Sequence, residues 1–179
     1  SMLRKVLADP HAVYVDLTPS EEVSRMLPLF GFRPVNRGTT LAMLPWHAVR
    51  SARGGRVRAL RADEPLAPGE PPLELLFAHR ELRCEPLVLE HPQGRTLFVY
   101  RSRPVRGLPA ARLKYIGSHA VLQRHLPCLA RHLLARGLPL LSFDTREPPM
   151  AGLGLIHRPG GIWYAKGASA RRQPVFPKA

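Results

Sequence analysis

The stretch VYVDLTPSEEVSRMLPLFGFRPV, residues 13–35, decides how this chain is read. The segment 12–17 (AVYVDL) alternates and is rich in β-branched and aromatic residues, which predicts a strand. Thr18-Pro19-Ser20-Glu21-Glu22 then brings capping hydroxyls, a proline near the first turn and early acids that suit the positive end of a helix. Val23, Met26, Leu27 and Phe30 share one face of that helix. Gly31 ends it, because glycine accepts the left-handed conformation of a helix terminus. Phe32 opens a further extended segment over 32–44, broken near Asn36-Arg37-Gly38.

Upstream, Leu3, Val6 and Leu7 fall at helical spacing in residues 1–8, and Asp9-Pro10 stops that helix. A chain opening on the last turns of a helix predicts either a preceding part of the protein or a surface for that helix to pack on. Downstream, 45–72 reads as a connector. Pro45 is followed by Arg50, Arg53, Arg56, Arg58 and Arg61 around Gly54-Gly55, then by Pro65, Pro68, Gly69, Pro71 and Pro72. Such a run sustains no long element, although 57–60 fits a short strand.

A second pattern begins at 73. Residues 73–82 predict a helix, 86–90 a strand, His91-Pro92-Gln93-Gly94 a turn, 95–103 its antiparallel partner and 110–116 a third strand. Ser118 caps a long helix with Leu122, Leu126, Leu129 and Leu133 on one stripe, ending at Gly137, with Pro127 either kinking it or marking a late start. A buried strand over 138–144, a loop over 145–155, a short strand over 162–166 and a frayed tail complete the chain.

The order helix, strand, helix, strand in 1–44, closing on Leu29-Phe30-Gly31-Phe32, resembles the C-terminal third of a GNAT (acetyl-CoA-dependent acyltransferase) domain. Residues 73–166 resemble a second, more complete GNAT-like unit. The implied fold class is α+β, a mixed, mostly antiparallel sheet flanked by helices, with a partial first copy followed by a second. The implied domains are a first unit over 1–45, an Arg/Gly/Pro-rich connector over 46–72, a second unit over 73–168 and a tail over 169–179. The copies match as architecture, not as a visible repeat.

In that family a loop of pattern R/Q-x-x-G-x-G/A, between the fourth strand and the central helix, holds the pyrophosphate of coenzyme A on backbone N–H groups and the helix end. The corresponding loop here is Tyr115-Ile116-Gly117-Ser118-His119-Ala120, in which Gly117 and the small Ser118 match in kind and no Arg or Gln leads. The resemblance therefore implies acetyl-CoA or another acyl-CoA bound at Ile116, Gly117, Ser118, His119 and Ala120. The family's frequent tyrosine acid falls on Leu27, which donates no proton, so no catalytic residue is assigned. Two readings stand: an N-acyltransferase moving an acyl group from acyl-CoA to a small amine or a protein amine, or a catalytically degenerate GNAT-fold binding or interaction module.

Composition bounds the alternatives. The net charge of +14 rests on 27 basic residues, mostly arginine among abundant Ala, Leu, Gly and Pro, which matches the usage of a GC-rich genome. No aromatic residue interleaves the Arg50–Arg61 run, which argues against stacking on single-stranded bases and so against nucleic acid as the partner. That run reads as a solvated linker or surface strand, or else an anion-binding surface. Cys84 and Cys128 read as buried, inert thiols, and without a CxxC pair no metal site is expected. His119, His125 and His132 are spaced too far apart to share a metal. Glu85 and Glu90 are either general bases or ordinary edge and turn carboxylates; Trp163 and Tyr164 either line an acyl pocket or pack in a core. No G-x-S-x-G elbow or Walker loop occurs. With no spanning apolar run and no signal-peptide layout, a cytoplasmic protein outside the membrane is expected, with a homo-oligomer left open.

Overall fold

The structure, a computed structural model, describes residues 14–16, 20–36, 38–51, 54–61, 63–67, 70, 84–145, 156–158 and 162–166. The helices expected over 1–8 and 73–82, most of the loop over 145–155 and the tail lie outside them. In chain order the elements are β1 (Tyr14–Asp16), α1 (Glu21–Met26), a 3-10 turn (Leu27–Phe30), β2 (Arg33–Pro34), β3 (Gly38–Met43) and α2 (Leu44–Ala48). Then follow β4 (Arg56–Ala59), β5 (Cys84–His91), β6 (Gly94–Ser102), β7 (Ala110–Ile116), α3 (His119–Leu134), β8 (Leu140–Thr145), β9 (Ile156–Arg158) and β10 (Tyr164–Lys166). The chain divides into two compact units, one of Ser1–Thr39, Asp144–Pro149 and His157–Ala179, the other of Thr40–Phe143 and Met150–Ile156.

In the first unit, β1, β10 and β2 form a three-stranded antiparallel sheet with β10 central. Ser20 caps α1 by accepting the Val23 amide, with Glu21 and Glu22 in the first turn. Gly31 sits at φ +81° and closes the 3-10 turn, while the Phe32 amide reaches back to the Leu27 carbonyl at 3.1 Å. Phe32 is buried after this left-handed step, as expected from Leu29-Phe30-Gly31-Phe32, and Leu27 is buried as well. The backbone of Trp163 is held by Val35 and by the buried Asn36, whose Oδ1 accepts the Trp163 amide at 2.7 Å. Trp163 and Tyr164 are half-buried beside the buried Ala165.

The larger sheet has strand order β4-β5-β6-β7-β8-β3-β9. Strands β4 to β7 pair antiparallel, and β7 and β8 pair parallel. The hairpin between β5 and β6 turns at Gly94 (φ +131°), where a side chain would be strained. The crossover from β7 to β8 carries α3, as a parallel pair requires. Leu87, Val88 and Leu89 on β5 and the run Thr96 to Tyr100 on β6 are buried consecutively, so these strands are covered on both faces. The fold is thus α+β, a mixed and mostly antiparallel sheet flanked by helices.

Helix α3 packs Leu122, Leu126, Leu129 and Leu133 into that core. His125 leaves helical geometry (φ −111°, ψ 17°) two residues before Pro127, so of the two outcomes read from that proline the helix shows the kink and not the late start. The helix ends at Leu134, earlier than the Gly137 boundary read from the sequence. Gly137 (φ +75°) instead forms the turn that lets the Leu138 amide return to the Leu133 carbonyl.

Two findings refine the connector reading. Pro45 lies in the first turn of α2 rather than beyond the last strand, and this short helix buries Leu44 and His47 at i, i+3 spacing. Arg131 of α3 caps its far end, donating from Nε to the Ala48 carbonyl and from Nη2 to the Arg50 carbonyl, each at 2.8 Å. Strand β4, inside the arginine-rich run, is the edge of the sheet, and charged residues there discourage edge pairing. Arg58 spans Glu90 (2.7 Å) and Glu64 (2.7 Å), and Arg95 also reaches Glu64 (2.6 Å).

Hydrogen bonding from Arg58, followed by its charge and by Arg95, lowers the Glu64 carboxyl from its ordinary 4.5 to about 2. Because the folded value is depressed, this contribution is complete above about pH 4.5 and fades as the pH falls toward 2. Glu64→Gln is therefore expected to lower the thermal midpoint near neutral pH, with the gap to wild type closing as unfolding is followed down to about pH 2. A gap independent of pH would contradict the pairing.

Candidate functional site

The residues 116–120 link β7 to α3 at one end of the sheet. Ile116 is half-buried against the core, and Gly117 donates its amide to the Leu97 carbonyl of β6 at 3.0 Å. A Cβ on Gly117 would lie 2.8 Å from that carbonyl oxygen and 3.1 Å from Thr96 Cγ2, so glycine is needed here for close approach. Ser118 caps α3: its Oγ accepts the Val121 amide at 3.2 Å and its carbonyl accepts the Leu122 amide at 3.0 Å. The His119 ring meets Phe143 of β8 edge-on, with centroids 6.5 Å apart, and Ala120 is exposed.

Beside this loop the sheet opens. Among the described residues, the parallel ladder pairs Ala110, Ala111 and Arg112 with Leu140, Leu141 and Ser142. Beyond it β7 continues through Ile116, registered on β6 with an irregularity at Val99/Tyr100. Strand β7 thus follows β6 and leaves the β8 ladder at the end where α3 begins, whose helix dipole is positive. Phe143, the next residue of β8, is buried and faces His119 there.

The other sequence-singled residues are dispersed. Glu85 accepts the Tyr100 hydroxyl at 2.8 Å and pairs with Arg136, which also donates to that hydroxyl at 2.7 Å. Burial, reinforced by Glu85, raises the Tyr100 hydroxyl above its ordinary range. Glu90 is held by Arg58. Both glutamates therefore make side-chain hydrogen bonds to arginines within the fold and read as structural partners. His125 is buried with its ring 5.3 Å from that of His91, and burial followed by the Arg136 charge lowers His132. The described residues contain no group of three or more His, Cys, Asp or Glu able to hold a metal. Neither Cys84 nor Cys128 forms a disulfide among the described residues; Cys84 is half-buried, its thiol pushed up by burial, and Cys128 is buried.

The sequence reading missed a groove of about 520 Å³ between α2 and the first half of α3, to which Ala120 contributes. Its other walls include His47, Arg50 and Arg124. The connector reading of 45–72 hid it, although proline at a first helical position was a usable signal.

No protein-family model matches the chain, and no curated protein matches it. Solved structures do. A GCN5-related N-acetyltransferase from Anabaena variabilis ATCC 29413 superposes with a TM-score of 0.52 at 8% identity, over 92% of this chain and 47% of that one. The fold is GNAT-like. A functionally unknown conserved protein from Staphylococcus epidermidis ATCC 12228 superposes with a TM-score of 0.46 at 9% identity, over 92% of this chain and 74% of its own. A GCN5-related N-acetyltransferase from Kribbella flavida gives 0.45 at 13% identity, over 92% and 44%. The chain spans about half the length of the two acetyltransferases it superposes on. Among the described residues of this GNAT-like chain no helix is long and apolar enough to cross a membrane.

Gly117→Ala forces a methyl group onto the Leu97 backbone. It is expected to destabilise the protein by about 1–3 kcal/mol, read as a lower urea midpoint at unchanged slope. An unchanged midpoint would show that loop and strand are not in tight contact.

Proposed function

We propose that this chain is a GNAT-fold N-acyltransferase transferring an acyl group from acyl-CoA to a small amine or a protein amine. The observation that carries the reading is the three-residue ladder between β7 and β8, opening beside the glycine loop at the start of α3. Ile116, Gly117, Ser118, His119 and Ala120 would hold the pyrophosphate, favoured by the positive helix end. The thioester supplies an activated carbonyl. An acceptor amine displaces the thiolate there in a direct transfer, losing one proton as the thiol regains one. The described residues offer binding and orientation for this reaction more clearly than a base, since Glu85 and Glu90 are both paired with arginine.

A second reading is a catalytically degenerate GNAT-fold binding or interaction module. It draws support from the His119–Phe143 contact beside the opening and from two local amides already spent, that of Gly117 on Leu97 and that of Val121 on Ser118. In either reading we propose the tandem arrangement, with a partial first unit over 1–45 and a second over 73–168, and a cytoplasmic setting.

Thermal unfolding with acetyl-CoA, set beside inorganic pyrophosphate at the same concentration, tests the proposal. A ligand at one hundred times its dissociation constant adds about 2.7 kcal/mol. Acetyl-CoA is expected to stabilise more than pyrophosphate, because the pantetheine arm adds contacts beyond the phosphates. Equal shifts, or no shift with acetyl-CoA, would sink the acyltransferase reading.

A further inference from the structure

The groove between α2 and α3 has a chemistry of its own. Arg50 and Arg124 stand on its rim, and neither guanidinium is paired with a carboxylate among the described residues. No acidic side chain lines it. His47 forms part of the wall, is 2% exposed, and its Nε2 has no hydrogen-bond partner. Burial, then the Arg50 charge, lowers the His47 pKa, so its imidazole is neutral near neutral pH and keeps one donor and one acceptor nitrogen. Ser51 and Gln123 add polar groups, and Leu126 and Pro127 give an apolar wall.

These features are built by the fold. Arg131 grips the Ala48 and Arg50 carbonyls, which fixes the end of α2 against α3 and carries Arg50 to the rim. Leu44 and His47 anchor the same short helix in the core. The cavity is of the size that takes a small metabolite. Two forked guanidiniums match the oxygens of a phosphate, and the neutral imidazole can complete its hydrogen bonding.

We propose that this groove is a binding site for a small phosphorylated organic molecule, its phosphate held between Arg50 and Arg124 with His47 and its organic body against Leu126 and Pro127. The site does not depend on acyl transfer: it would persist in a chain that binds no acyl-CoA.

Inorganic pyrophosphate is the probe, titrated calorimetrically at low salt into the full chain. The variants are R50Q/R124Q and R103Q/R106Q, which lose the same charge at the groove and at the exposed turn after β6. R50Q/R124Q is expected to weaken binding at least about tenfold and R103Q/R106Q less than about twofold, the loss of specific phosphate contacts against that of diffuse charge. Equal weakening in both would assign the binding to overall charge. Unchanged affinity in R50Q/R124Q would place it elsewhere, and no binding by wild type would end the proposal. If the double variant unfolds below the wild-type midpoint, Arg124→Gln alone makes the same comparison. Acetyl-CoA stabilising wild type no more than pyrophosphate, together with a tenfold loss in R50Q/R124Q, would retire the acyltransferase reading and leave this site standing.

Discussion

One backbone contact organises the larger unit: the approach of Gly117 to Leu97. The amide-to-carbonyl bond of 3.0 Å leaves no room for a side chain, with a carbonyl oxygen 2.8 Å from where Cβ would stand. It keeps the end of β7 on β6. Among the described residues the parallel partner β8 is engaged from Ala110 to Arg112, and α3 starts immediately at the Ser118 cap. Sheet opening, loop and helix start are therefore consequences of the same close packing.

The remaining architecture secures that arrangement from its two sides. Helix α3 lays its leucine stripe into a core shared with β5, β6, β7 and β8, and removing such side chains costs several kcal/mol in close-packed interiors. Arg131 ties α2 to α3, and the Arg58–Glu64–Arg95 cluster ties the segment after β4 to β6. The high arginine content is thus partly structural, while Arg50 and Arg124 remain turned to the groove.

Much of this was legible in the sequence. The apolar runs around Val88 and Phe98, the turn at Gly94, the Ser118 cap and the leucine stripe all report local rules, and each of these elements formed where those rules placed it, within a few residues. The step at Gly31 was legible for the same reason, since the left-handed cap is a property of glycine itself. Helix α2 was not, because a five-residue helix has no periodicity to reveal and depends on Arg131, 83 residues away. The site was legible only as a loop. That the Gly117 amide is spent on Leu97, that Glu85 and Glu90 are paired, and that His47 is buried beside two arginines all depend on partners distant in sequence.

Ligand entry beside the loop requires the sheet to be open between β7 and β8 in the unliganded protein. Interstrand nuclear Overhauser contacts in the free chain measure this directly. Contacts between Ala110–Arg112 and Leu140–Ser142, stopping there while β6–β7 contacts run on to Ile116, are the predicted result. A β7–β8 ladder continuing unbroken to Ile116 would contradict it, because a closed sheet leaves no opening for a ligand to occupy.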